Sequence, residues 1–286
     1  MKIFTDTCAQ YSPEAASKVD IVAIPMQILY DGLAFKEYVE LSPETLLSKI
    51  VVDHVVPSSS QPSPYDIKNA FGLLEENEQG IAISIADGLS GTYNSFSTMR
   101  LSIDHPEHLV VYNSKTIAGP QRYMARYARK LADNGLTMDE IVEKLDEIRE
   151  TTWSYLIPQD FQFLKRGGRC NAVTAKLGGL LNLQVAVTID AEGRHLDKFA
   201  ITRTVKAVTK KILDDIERKI DPTKPQHFYV VHADNELMAL QMVSAINTRF
   251  PNQLVEVLPL CPTCIVHGGP GCVAIQVIED KLEAMK

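Results

Sequence analysis

The sequence predicts an α/β protein of two domains: a parallel α/β/α sheet over residues 1–153 and an α/β domain with a mixed sheet over residues 154–286. Two observations carry this. In the first half, short and nearly continuous apolar strands alternate with amphipathic helices, the pattern of a parallel sheet buried on both faces. In the second half, a pair of strands joined like a hairpin precedes further helical crossovers, which calls for strands of both directions.

Four strands are expected in the first half: "KIFTD" from residue 2, a longer "DIVAIPMQILY" over 20–30, "EQGIAISIADG" over 78–88 and "HLVVYNS" over 108–114. Helical periodicity covers roughly Ser63–Glu76, Thr92–Asp104, Gly119–Asn134 and Thr137–Thr151. Thr137 and Glu140 have capping-box spacing. The polar tails "TDTCAQ", "SIADGLSGT" and "YNSKTIAG" follow strands, and parallel sheets bind ligands beyond their carboxyl ends. The second half offers "LQVAVTIDAEGRHLDKFAI", turning at Glu192-Gly193, then helix Thr204–Lys219, strand "HFYVVHA", helix Asn235–Arg249, strand "LVEVLPL" and strand "GCVAIQVI".

Bulk properties narrow the function. With 29 Lys+Arg against 36 Asp+Glu the formal charge is −7, so no general attraction to nucleic acid or anionic membranes is expected. "MKIFTDTCAQYS" lacks signal-peptide features, and no apolar run approaches the ~18 residues of a membrane span. Five scattered cysteines argue against a disulfide framework. A reduced, cytoplasmic protein is expected. "CPTC" (Cys261 to Cys264) lies between apolar stretches that read as strand and loop. Only Cys272 and His267 lie near it in sequence, so packed or surface thiols are expected there, and no metal site.

Four hydroxyl-, glycine- or arginine-rich loops could carry chemistry. "LSGT" places Ser90, Gly91 and Thr92 where a helix begins. Gly91 permits close approach, the helix start offers free N–H groups, and two hydroxyls can donate to an anion; capping by Ser90 is equally open. A nucleophile elbow does not fit, because Thr92 stands where the second glycine should be. "PSSSQPSPYD" gives Ser63 or Asp66 as a cap and leaves Ser59, Ser60 and Gln61 without a structural role. "FLKRGGRCN" reads as a helix end at Gly167-Gly168, with Arg166 and Arg169 able to clamp an anion. "IVHGGPG" places His267 before Gly268 and a run whose N–H groups could face a ligand; alone it reads as a turn.

Singly these signals are weak, but their order is specific. "TDTCAQ", "SSSQPS", "ISIADGLSGTY", "LKRGGR" and "HGGPG" together resemble the DegV family of bacterial fatty-acid-binding proteins, over nearly the whole chain. The resemblance implies a DegV-like fold with a long-chain fatty acid enclosed between two domains. Its carboxylate would be held by Ser59 and Ser90, with Gly91, Thr92 and Gly268 in the same loops and His267 close by. It further implies a non-catalytic carrier without cofactor, which presents the carboxylate to a separate ATP-dependent fatty acid kinase subunit, with Arg169 at that partner surface. Departures from the family pattern are Thr7, Cys8 and Gln10 in the first loop, Ser59 for threonine, Asn113 for aspartate, Ala118, Pro120, and Gln184-Val185 for Lys-Pro. Two other classes are kept: a hydrolase or transferase using Ser90 and His267, and a module for a phosphorylated metabolite.

Overall fold

The protein is described here from a computed structural model covering residues 1–170, 183–190 and 193–285. In chain order it forms β1 (Lys2–Asp6), α1 (Pro13–Ser17), β2 (Ile21–Ile24), β3 (Gln27–Tyr30), β4 (Leu33–Lys36), α2 (Pro43–Val51), β5 (Ser58–Ser60), α3 (Pro64–Phe71), β6 (Gly80–Ser84), α4 (Thr92–Arg100), β7 (Leu109–Asn113), α5 (Gly119–Asp133) and α6 (Met138–Arg149). Then follow β8 (Trp153–Ile157), α7 (Phe161–Gly167), β9 (Gln184–Ile189), β10 (Leu196–Thr202), α8 (Val205–Lys219), β11 (Gln226–His232), α9 (Glu236–Arg249), β12 (Leu254–Pro259), α10 (Pro262–Gly268) and β13 (Val273–Glu279).

Local chemistry sets several boundaries. Helices α1, α2 and α3 each open on Ser-Pro: the serine hydroxyl accepts an N–H of the first turn, and proline occupies a position whose N–H needs no partner. The capping box at Thr137 and Glu140 is present. Helix α7 ends at Gly168 with φ +67, as its two glycines predict; Gly167 itself is helical.

Strands β2-β1-β6-β7 form the expected parallel sheet. One face packs on α3 and α4 through Phe4, Phe71 and Phe96, which meet edge-to-face. The other face packs on α5. The second sheet, β10-β9-β8-β13-β11-β12, is mixed: β11 runs parallel to β12 and antiparallel to β13. Its outer face is covered by α8 and α9. Helix α5 packs against both sheets, and Gly119 at its start lies so close to the Tyr229 ring that a Cβ would sit 2.2 Å from a ring carbon.

Two expectations change. The apolar run over 20–30 is not one strand: Pro25 interrupts it, β2 stays in the parallel sheet, and β3 joins a separate antiparallel sheet of order β4-β3-β5. Asp31-Gly32, both with positive φ, close the two-residue hairpin between β3 and β4. The strand expected before "CPTC" forms as β12, but the stretch after it is not loop: Cys261 caps α10, which runs through "PTCIVHG". The β9–β10 hairpin forms, with Glu192 of its predicted turn outside the described residues. Among the described residues no helix is long and apolar enough to cross a membrane.

Candidate functional site

A cavity of about 340 Å³ lies beyond the carboxyl ends of the parallel sheet and over the inner face of the mixed sheet. The loops after β6 and β7 supply Ile85, Leu89 and Ile117 to one wall. The opposite wall is a patch of alternate residues from neighbouring strands: Leu156 of β8, Val187 and Ile189 of β9, and Ala274 of β13. Period-two alternation sends these side chains to one face. Gln276 on that face is fully committed: its amide N–H groups donate to the Ile117 carbonyl and Ser154 Oγ, and its carbonyl accepts Gly119 N–H. The wall is therefore apolar with its few polar groups already paired.

At one end the polar loops converge. Register with β3 sets Ser59 opposite Ile28 in the short strand β5. Ser59 Oγ lies 2.7 Å from His267 Nε2, across 208 residues of sequence. Ser90 Oγ accepts Thr92 N–H at 3.3 Å and lies 2.8 Å from Thr92 Oγ1. Ser59, Ser90, Gly91, His267, Gly268 and Arg169 all line the cavity. Thr92 does not; it is buried, and its hydroxyl also reaches the Met26 sulfur at 3.5 Å. Gly91 is a close-approach position, since a Cβ there would stand 2.3 Å from Gln61 Oε1.

Hydrogen-bond economy orients the two hydroxyls. His267 is neutral at physiological pH, its pKa lowered to about 4 by burial and by the Arg169 charge. Nδ1 has no hydrogen-bond partner, and an unpaired buried lone pair costs less than an unpaired N–H, so the proton is assigned to Nε2. Nε2–H then donates to Ser59 Oγ, and the Ser59 proton is left for the cavity. Thr92 gives its one hydroxyl proton to the Met26 sulfur at 3.5 Å, so Ser90 donates to Thr92 Oγ1 at 2.8 Å and both bonds are kept; a carboxylate beside Ser90 would exchange that bond for a stronger, charge-assisted one. Both hydroxyls line the cavity, which has no lysine among its lining residues.

Arg169, expected at a partner surface, is among the residues that line the cavity. Its guanidinium donates to the Leu89 carbonyl at 3.1 Å and the Gly167 carbonyl at 2.5 Å, tying the end of α7 to the "LSGT" turn. Ser60 and Gln61, without a role in the sequence, are also in the wall.

Beneath the cavity, α10 is anchored by Glu37, which the sequence reading passed over. Its carboxyl accepts Thr263 N–H at 2.7 Å and Thr263 Oγ at 2.8 Å, and it pairs with Thr7 Oγ. Burial pushes the Glu37 carboxyl well above its usual range, against the opposing pull of its bonds to Thr7 and Thr263. The "DG" turn was the available signal for this hairpin sheet, whose pairing carries Glu37 to α10.

A family model described as an uncharacterised DegV family protein matches residues 1–280. A fatty acid-binding protein of Thermotoga maritima is 27% identical over 291 residues, covering 98% of this chain and 99% of its own length. A DegV domain-containing protein of Listeria monocytogenes is 26% identical over 275 residues, covering 96% of each. The fold is shared with a fatty-acid-binding DegV family protein of Thermus thermophilus (TM-score 0.88, 22% identity, 98% and 99% of the two chains). It is also shared with a DegV family protein of Eubacterium eligens loaded with heptadecanoic acid (TM-score 0.85, 20% identity, 98% and 100%). The order of loops read from the sequence, the two sheets and the match over almost the full length agree: this chain belongs to the DegV family.

Proposed function

We propose that the protein binds one long-chain fatty acid in this cavity and presents its carboxylate to a separate ATP-dependent kinase subunit. On this reading the chain divides near residue 153, the acyl tail runs along the apolar wall, and Ser59 and Ser90 donate to the head group. The observation that carries it is the pair of serine hydroxyls, Ser59 and Ser90, lining an otherwise largely apolar cavity. Each methylene buried contributes roughly 0.8 kcal/mol, so a tail of a dozen or more dominates affinity while the serines set orientation. Relatives named for fatty-acid binding, and one crystallised with heptadecanoic acid, support the ligand class. Short neutral donors leave one carboxylate face open to an incoming phosphoryl group, beside which Arg169 offers a planar cation suited to phosphate.

Hydrolysis by Ser90 and His267 is less well supported. His267 Nε2 is engaged by Ser59, and its Nδ1 has no acidic partner to orient it. The test is to load delipidated protein with palmitate or oleate and add a fatty acid kinase subunit and ATP. Acyl phosphate should form only with both proteins present. Arg169→Gln should keep the lipid and lose the phosphorylation; loss of lipid would instead put Arg169 in the head-group site. Turnover of an ester by the protein alone, abolished by Ser90→Ala, would contradict the carrier reading.

A further inference from the structure

Three of the five cysteines meet at one point. Cys8 lies in the 3-10 turn after β1, Cys261 caps α10 and Cys264 lies within it; 253 residues separate the first two. Their sulfur atoms all lie within 4.8 Å of one another, and none is in a disulfide. Cys8 and Cys261 are fully buried, while Cys264 keeps some surface where it lines the cavity.

The surroundings hold these sulfurs in place. Asp6 accepts Cys8 N–H at 3.0 Å, and Cys8 O accepts Ala118 N–H at 3.0 Å, which fixes the first. A Cys-x-x-Cys at a helix start aims two sulfurs the same way. Gln10 is spent entirely on the cluster. Its amide nitrogen donates to Cys261 Sγ and Cys264 Sγ, each at 3.5 Å, and to the Cys8 carbonyl at 2.7 Å; its oxygen accepts Cys261 N–H at 2.6 Å. Donors to ligand sulfurs that also fix the ligand backbone are what a metal site's outer shell provides. The Met26 thioether packs in the same cluster, adding a further soft atom and no hard one.

We propose that Cys8, Cys261 and Cys264 form a three-thiolate site for a thiophilic closed-shell metal ion. Thiolate ligands select Cu(I) and Zn(II) over hard cations. Three donors complete a trigonal Cu(I) centre, whereas Zn(II) would need a fourth from the cavity side. On binding, each thiol gives up its proton to solvent and no electron is transferred.

The test is anaerobic titration of the fully reduced, full-length protein with Cu(I) against a chromogenic chelator, and separately with Zn(II), followed by X-ray absorption of the loaded wild type. One equivalent is expected, with three sulfur neighbours at about 2.3 Å. Cys8→Ser and Cys264→Ser should each weaken uptake by more than about tenfold, while Cys272→Ser, outside the cluster, should not. Fewer than three sulfur neighbours in the wild type would overturn the site whatever the variants do. So would retention of the metal by both serine variants.

Discussion

At the residue scale, the chemistry of the site rests on two serine hydroxyls, Ser59 and Ser90, that line the cavity. If Ser59 and Ser90 both donate to a carboxylate, Ser59→Ala or Ser90→Ala removes a hydrogen bond to a charged group. Each should cost about 1.5–3 kcal/mol, roughly ten- to hundredfold in fatty-acid Kd, with the melting temperature little changed; isothermal titration of the delipidated variants checks this. His267 gives a pH signature. Its folded pKa of about 4 lies below the ordinary 6.5, so between these values the unfolded chain binds the extra proton and stability falls as pH falls. From pH 7 to pH 5 the wild type should lose about 2 kcal/mol more than His267→Gln, measured by urea denaturation; equal losses would refute the buried neutral imidazole. Ala118 carries a different strain. Its φ of +59 with ψ of −122 suits glycine, so Ala118→Gly should stabilise the fold by about 1 kcal/mol.

At the element scale, α10 joins the site to the rest of the molecule. It presents Cys261 and Cys264 at its start and His267 near its end, with Thr263 bonded to Glu37 between them. Glu37→Gln keeps an acceptor for Thr263 and a donor for Thr7, whereas Glu37→Ala leaves both unpaired beside a void. The alanine should cost about 3 kcal/mol by chemical denaturation. The glutamine should gain on the wild type as pH rises above 4.5, because the wild-type carboxyl binds its proton more tightly folded than unfolded. This helix was not legible in the sequence. Seven residues with Pro262 at one end and glycines at the other show no helical period, and its stability comes from packing and from Glu37. Longer elements were legible: α5 and α6 fall within a residue or two of their predicted bounds, because fifteen and twelve residues suffice to display a period. Pro25 was in plain view within the 20–30 run and was outweighed by the apolar residues around it.

At the scale of the whole molecule, the site is a convergence that no local pattern encodes. Ser59 comes from an edge strand, Ser90 from a turn at the parallel sheet's carboxyl end and His267 from a helix near the chain's end. The loop residues could be picked out because glycines and hydroxyls between apolar runs lack structural work. Their meeting could not, nor could the third thiol that Cys8 brings to Cys261 and Cys264 from the opposite end of the chain. The cavity wall is equally silent in sequence, since Val187, Ile189 and Ala274 alternate as in any core strand. One hydrophobic core cluster joins Ile3 and Ile81 of the first sheet to Tyr229 and Val231 of the second, with α5 between them. A ligand lying along this seam should therefore stabilise both sheets together, as a single upward shift of one unfolding transition. The central claim is that the cavity holds a long-chain fatty acid by its carboxylate. Organic extraction of the purified protein followed by mass spectrometry tests it most directly. About one fatty acid per chain, or uptake of palmitate or oleate by emptied protein with loss in Ser59→Ala and Ser90→Ala, is the predicted result. An empty extract with no uptake of either acid, or a phosphorylated metabolite in their place, would contradict it.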